Sequence, residues 1–310
     1  MKIAVVGAGA MGSFFGAMLA RSGQDVWLID KRAEHVQSIN TQGLRIVENT
    51  SETIVKIKAT TDITDVAEPD LILFFVKSYD TEQAAQDCCK IMGENTIIVT
   101  LQNGLGNTDK LAGRLGHERI VAGTTSYGCT TLNPGVIRVS NVGEVTIGEL
   151  DGSSTVRLQQ LIEVFGSAGI KVKVSESIEG LIWTKLAVNA GINALTAITL
   201  LKNGELLEYD ETMQLMRKVV SEVIEVANRK GIRFLVADPL QLVMDIAKDT
   251  YHNKSSMRQD IERGARTEID SINGAVVLEG AKVGMVTPVN EVLTLLVKSL
   301  EKKDKRTIIN

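Results

Sequence analysis

Residues 1 to about 175 alternate short aliphatic runs with longer stretches of helical period. Ile3–Val6, Val26–Ile29, Leu71–Val76, Ile97–Leu101 and Ile120–Ala122 carry few polar positions, the pattern of strands buried on both faces of a parallel sheet. Met11–Ser22 and Thr81–Met92 lie between them and are long enough for crossover helices. This rhythm predicts an α/β fold with a Rossmann-type, doubly wound sheet. Beyond Gly123, Gly135–Ser140 and Glu144–Glu149 alternate, with turn residues before each, and predict an antiparallel extension at the sheet edge. A helix over Val156–Ala168 and a strand over Lys171–Val174 close this part. From Ser177 the strand signals cease. Helices are predicted over Ile178–Leu195, Glu205–Lys230, Ala237–Thr250, Ser256–Val283 and Val289–Lys303. The chain therefore reads as an α/β domain, residues 1–175, which the next motif marks as dinucleotide-binding, followed by an all-α domain, residues 176–310.

The first run leads straight into Gly7-Ala8-Gly9-Ala10-Met11-Gly12 and then an apolar helix. G-x-G-x-x-G between a strand and a helix is a dinucleotide fingerprint. Gly7 permits the tight turn, Gly9 lets the backbone approach a pyrophosphate, and Gly12 lets the helix pack on the strand. The whole loop, Ala8, Ala10 and Met11 included, is expected to face the phosphates at the helix N-terminus. The second strand ends at Asp30. An acid there accepts hydrogen bonds from the adenosine ribose and repels a 2′-phosphate, favouring NAD(H). Lys31 and Arg32 follow at once, and a cation there pairs with such a phosphate. These residues leave NAD(H) and NADP(H) both open.

Composition narrows the class. The 310 residues are 44% hydrophobic and 23% charged, ordinary for a globular chain, which excludes wholesale disorder and fibrous repeats. A net charge of -4 provides no basic field for nucleic acid or an anionic membrane, and 4% aromatics offer few stacking platforms. Neither nucleic acid nor membrane is an expected partner. Cys88, Cys89 and Cys129 are too few for a disulfide framework, and with His35, His117 and His252 they show no metal-ligand spacing. No metal is expected, and a reducing cytoplasm is the expected compartment. The first twenty residues also have the outline of a short signal peptide, but the glycines fit the phosphate loop better. No other stretch approaches the ~20 apolar residues of a membrane span.

Ligands bind outside the carboxyl ends of strands in open α/β sheets. Lys77 follows the run Leu71–Val76 and is a candidate phosphate or ribose contact; Asn103 follows Ile97–Leu101 and is a candidate for a carboxamide or substrate oxygen. In the helical part Lys185, Asn189 and Asn193 recur at i, i+4 and i+8 among apolar neighbours and so form one row. Asparagine is a poor helix former, so two in one row need a reason. A lysine beside two amides in an apolar setting can bind an oxyanion and give it a proton, with desolvation drawing its pKa toward neutrality. A polar seam hydrogen-bonded to the other domain is the alternative. Further on, Ser256 and Gln259 have the form of a capping box. Met257, Ile261, Ala265, Ile269, Ile272 and Val276 mark an apolar stripe that Glu268 borders. That carboxylate is either paired, with Lys185 or near Arg266, or working.

These blocks resemble the ketopantoate reductase (2-dehydropantoate 2-reductase) family nearly end to end. The likeness runs through G-A-G-A-M-G at 7–12, V-K-S at 76–78, L-Q-N-G at 101–104, K-L-A-V-N-A-G-I-N-A-L-T-A-I at 185–198, N-G-E-L at 203–206, N-K-S-S-M-x-Q-D-I at 253–261 and T-E-I-D-S-I-N-G at 267–274. The resemblance implies reduction of 2-dehydropantoate to pantoate with NADP(H). It makes Lys185 the general acid and gives Glu268 the role of orienting substrate and lysine. Asn189, Asn193 and Asn253 would hold substrate oxygens and Ser256 the substrate carboxylate, while Asn103 and Lys77 would line the cofactor side. Members that use NADPH tend to have a small residue followed by arginine after the second strand, where this chain has Asp30-Lys31, so NAD(H) is the alternative cofactor. The alternative functions are reduction of another branched 2-oxo acid, or a non-catalytic dinucleotide sensor. The expected partners are a small 2-oxo acid and, as a candidate, a second copy of the chain in a homodimer.

Overall fold

The computed structural model describes residues 1–48 and 51–307. The chain divides into two compact units, Met1–Gln102 with Asn107–Ile178, and Asn103–Gly106 with Glu179–Asn310.

In the first unit β1 (Lys2–Val6) leads to α1 (Ala10–Arg21), β2 (Asp25–Ile29), α2 (Ala33–Gln42), β3 (Leu44–Glu48), β4 (Ser51–Val55) and β5 (Lys58–Thr60). Next come β6 (Leu71–Phe74), α3 (Thr81–Cys88), β7 (Ile97–Thr100), α4 (Asn107–Leu115) and β8 (Ile120–Thr125). The unit closes with β9 (Gly128–Asn133), β10 (Val136–Asn141), β11 (Val145–Glu149), α5 (Val156–Ser167) and β12 (Val172–Val174). An eight-stranded sheet has the order β12-β11-β8-β7-β6-β1-β2-β5. Its strands from β5 to β8 are parallel, and β11 runs antiparallel beside β8. β6 and β7 are buried along their whole length, and β1 is buried after Lys2, as helices on both faces require. Strand order reverses between β1 and β6, and a doubly wound sheet binds ligands at the carboxyl ends of such a pair.

The doubly wound sheet is as predicted, but its edge is not. β11 alone makes the antiparallel extension; β10 joins a separate four-stranded sheet, β4-β3-β10-β9. The reason lies in α1, which is apolar around most of its circumference and which one sheet cannot bury. Phe14 and Phe15 share a core with Val5 and Leu28 of the main sheet and with Ile46, Val55, Ile137 and Val139 of the second. The segment resembling a signal peptide is thus a central strand and a buried crossover helix.

The second unit contains α6 (Ile178–Thr199), α7 (Asp210–Arg229), α8 (Pro239–Asp249), α9 (Ser256–Glu262), α10 (Asn273–Lys282) and α11 (Pro288–Thr307). Contrary to the expectation from hydropathy, α6 is long and apolar enough to cross a membrane. It is nevertheless a core helix: 67% of its apolar window is buried, and Leu186, Ala187, Ala190 and Leu195 share a core with Val219 and Val223 of α7 and Val243 of α8. Close approach explains Gly191, where a Cβ would come within 2.9 Å of the Val220 and Val243 side chains.

Two predicted helices are broken. Glu205–Lys230 divides into a 3-10 turn, Gly204–Leu207, and α7. Ser256–Val283 divides into α9, a 3-10 turn at Ile269–Ser271, and α10. Gly264 takes φ +63°, and the Gly264 and Ala265 N–H groups close the end of α9 on the carbonyls of Ile261 and Asp260. Thr267 is then tied to α11, where its N–H and Oγ1 donate to Glu301 Oε1 at 2.7 and 2.6 Å.

Candidate active site

The glycine loop of the first unit is divided between structure and vacancy of side chain. Gly7 has φ +95°, and a Cβ there would lie 2.4 Å from the Val76 backbone nitrogen. A Cβ on Gly12 would lie 2.2 Å from the Gly7 carbonyl oxygen. Both glycines are required by the fold. Gly9 has φ -63° and no protein atom within 4 Å of its Cβ position. Nothing in the protein demands glycine there, so a backbone left bare at the start of α1 fits an external phosphate. Gly9 is the N-cap of α1 and offers no side-chain cap, which leaves the first-turn N–H groups of Ala10, Met11 and Gly12 without intrahelical acceptors. Ala8 is different. It is fully buried, its N–H donates to the Ile29 carbonyl, and its own carbonyl accepts from Ser13 Oγ and Arg32 Nη2. Its part is to hold the loop's shape.

These contrasts separate folding from binding. Gly9→Ala should melt like the parent and bind dinucleotide about tenfold more weakly or worse. Gly12→Ala should lose ~1–3 kcal/mol of stability from the backbone collision. Thermal melts and fluorescence titration of the two variants check both statements.

At the end of β2, Asp30 is buried and paired with Arg32, while Lys31 reaches Asp80 at 2.8 Å. Lys77, at the end of β6, is partly buried and engaged in the protein. Sequence reasoning missed Gln102, whose Nε2 donates to the Val76 carbonyl at 2.7 Å and to Thr81 Oγ1 at 2.8 Å, fixing the ends of β6 and β7 to each other. It also missed buried His35. Nδ1 of this histidine accepts the Gly135 N–H at 3.0 Å and Nε2 lies 3.3 Å from Ser13 Oγ. Burial, then the charge of Arg32, lowers the His35 pKa; the ring is therefore neutral at pH 7, with its proton on Nε2.

The second unit gathers the other candidates. Lys185, Asn189 and Asn193 follow one another up α6 as their spacing requires. Asn193 is buried, and the Asn189 amide nitrogen is buried with no hydrogen-bond partner. A buried amide without a partner costs free energy unless a ligand supplies one. Burial pushes the Lys185 ammonium down to about 8, and the charge of Glu268 acts in the opposite direction. Glu268 is 6% exposed. It stands at the N-cap position of the 3-10 turn Ile269–Ser271, with no side-chain capping bond, rather than within an α-helix, so the helical stripe was the wrong reason for finding it. Arg266 pairs with Asp270 at 3.5 Å, in solvent.

The short segment Asn103–Gly106 docks on that turn. Leu105 N–H donates to the Ser271 carbonyl at 2.8 Å, and Ser271 Oγ donates to the Glu268 carbonyl at 3.0 Å. Gly104 has φ +81°, and a Cβ there would collide with the Ser271 carbonyl at 2.4 Å. Asn103 is thereby held close in sequence and space to the turn that carries Glu268. The expected capping box is corrected by one residue: Ser255 caps α9, its Oγ accepting the Arg258 N–H at 3.1 Å. Ser255 Oγ also accepts from Thr196 Oγ1 at 2.7 Å, which joins the start of α9 to α6 one turn beyond Asn193. Ser256 becomes the first helical residue and is exposed. Asn253 is exposed as well, and its carbonyl accepts the Asn203 N–H at 3.0 Å. Among the described residues no group of His, Cys, Asp and Glu is placed to hold a metal ion.

Family models for ketopantoate reductase PanE/ApbA and for its C-terminal part match residues 3–152 and 177–301. The chain belongs to the ketopantoate reductase family. It is 38% identical over 301 residues to the 2-dehydropantoate 2-reductase of Pyrococcus horikoshii, covering 97% of this chain and 98% of that protein. The corresponding protein of Halobacterium salinarum is 35% identical, covering 96% and 98%. Among solved structures, a PanE/ApbA family ketopantoate reductase from Ralstonia eutropha superposes with a TM-score of 0.92 at 36% identity, covering 98% of this chain and all of that one. D-mandelate dehydrogenase with NADH and anilino(oxo)acetate superposes with a TM-score of 0.91 at 31% identity, covering 98% and 99%. The fold read from the sequence, a Rossmann-type unit followed by helices, is thus the ketopantoate reductase fold.

Proposed function

We propose that this protein reduces 2-dehydropantoate to pantoate with a reduced nicotinamide dinucleotide. The observation that carries the reading is Lys185: an ammonium of depressed pKa, electrostatically coupled to buried Glu268, one helical turn from an amide that lacks a partner. Residues Gly7–Gly12 would hold a reduced dinucleotide, which when bound would supply a hydride for the carbonyl carbon. Lys185 donates a proton to the carbonyl oxygen as charge develops on it, so the ketone becomes an alcohol and the lysine is left neutral. A pKa near 8 keeps the ammonium protonated at pH 7 yet ready to release its proton. Asn189 and Asn193 donate to substrate oxygens, Asn103 and Asn253 add further polar contacts, and Ser256 at the start of α9 receives the carboxylate. Glu268 holds the ammonium in place by its charge. A dinucleotide sensor would need none of this second-unit set.

The likeness to D-mandelate dehydrogenase supports a second reading, reduction of another branched or aromatic 2-oxo acid. Loss of nicotinamide absorbance with 2-dehydropantoate, compared with a panel of 2-oxo acids, tests both. The highest kcat/KM is expected with 2-dehydropantoate; a higher value for a panel member transfers the assignment to that acid, and no turnover with any of them favours the sensor. The three thiols, none in a disulfide, support a cytoplasmic location.

A further inference from the structure

The residues after β2 carry an asymmetry between carboxylate and cations. Asp30 Oδ1 accepts both the Arg32 backbone N–H at 3.0 Å and Nε–H at 2.8 Å, and Oδ2 accepts from Nη2 at 2.8 Å. A carboxylate oxygen accepts about two hydrogen bonds. Oδ1 is therefore filled, and Oδ2 keeps one acceptor position. Burial raises the Asp30 pKa, but the hydrogen bonds and charge of Arg32 outweigh it and hold the carboxyl below its ordinary range.

Arg32 is itself held. Its Nη2 also donates to the Ala8 carbonyl of the glycine loop at 3.2 Å, and the same carbonyl accepts from Ser13 Oγ, which adjoins His35. Pulling Arg32 outward would strand a buried carboxylate, a costly change. Lys31 is the opposite case. It is 78% exposed in its pair with Asp80, and such a pair is weak.

We propose that the Asp30–Arg32 pair reads the adenosine ribose and makes this chain selective for NADH over NADPH. The 2′-hydroxyl donates to the open position on Oδ2. A 2′-phosphate has no proton to donate and brings negative charge against a buried anion; Arg32 spends its Nε and Nη2 on that anion and the Ala8 carbonyl, and exposed Lys31, already paired with Asp80, offers only a solvent-screened contact. The inference rests on the dinucleotide-binding reading of the glycine loop and adds the choice between two dinucleotides. Asp30 touches the ligand; Arg32 is a positioning residue.

Binding tests it without turnover. The intact protein is titrated separately with NADH and NADPH, and Kd is read from nicotinamide fluorescence. The parent is expected to bind NADH at least about tenfold more tightly. Asp30→Ala removes the acceptor and releases Arg32, so the ratio should fall to about one or invert. Asp30→Asn keeps the shape with no charge and should lie between. Equal or tighter binding of NADPH by the parent overturns the proposal, as does an unchanged ratio in a folded Asp30 variant. If neither dinucleotide binds, the reading of the glycine loop itself falls.

Discussion

Lys185→Ala should fold like the parent and lose about 10²–10⁴ in kcat, with a smaller change in KM, because a positioned general acid contributes on that order. The alanine removes the proton donor and the charge that stabilises the developing alkoxide together. Lys185→Arg should not restore the rate. Guanidinium keeps the charge, but its pKa above about 12 makes it a poor acid and its planar fork does not overlay an ammonium. Steady-state kinetics beside a thermal melt decide the matter: parental turnover in a folded Lys185→Ala protein removes the lysine from the chemistry.

The second large effect belongs to Glu268 and shows in the pH profile. Burial sets the Lys185 pKa at about 8, and the Glu268 charge acts to raise it. Since the ammonium is the active form, parental kcat should fall as pH rises through about 8. Glu268→Gln removes the charge at nearly constant shape, so the lysine pKa drops further and this alkaline limb moves to lower pH. For a drop of one pKa unit the protonated fraction, and with it the rate, should fall about threefold at pH 7.5 and about tenfold at pH 9, above both values. A variant whose limb stays at the parental pH and whose melting point alone changes would make Glu268 part of the scaffold only.

The legible parts of the chain are those where local pattern and tertiary environment agree. β1, β6 and β7 are covered on both faces, and their all-apolar runs say so directly. The second sheet stayed hidden because its strands are largely solvated: β4 is exposed from Ser51 to Ile54, and β9 has no fully buried residue. The α6 row was readable because helical spacing alone aligns Lys185, Asn189 and Asn193. Glu268 was found through a stripe that continues past a break, although Gly264 within it was a signal of that break. Ser255 and Ser256 were indistinguishable by capping preference; the Thr196 hydroxyl, 59 residues away, takes the former as partner. The same limit hid the buried set in which Asn273 Nδ2 donates to the Ala190 carbonyl and to Asn290 Oδ1, and Asn290 Nδ2 donates to Glu222. These pairings join four helices across gaps that no local pattern records.

The docking of Leu105 on Ser271 has a bearing on how the polypeptide can be divided. The backbone passes from one unit to the other after Gln102, returns after Gly106, and passes over again after Ile178. A single proteolytic nick at the last of these junctions would leave Asn103–Gly106 still threaded among the helices by a main-chain hydrogen bond. A fragment starting at Glu179 would lack four residues that belong to its own packing.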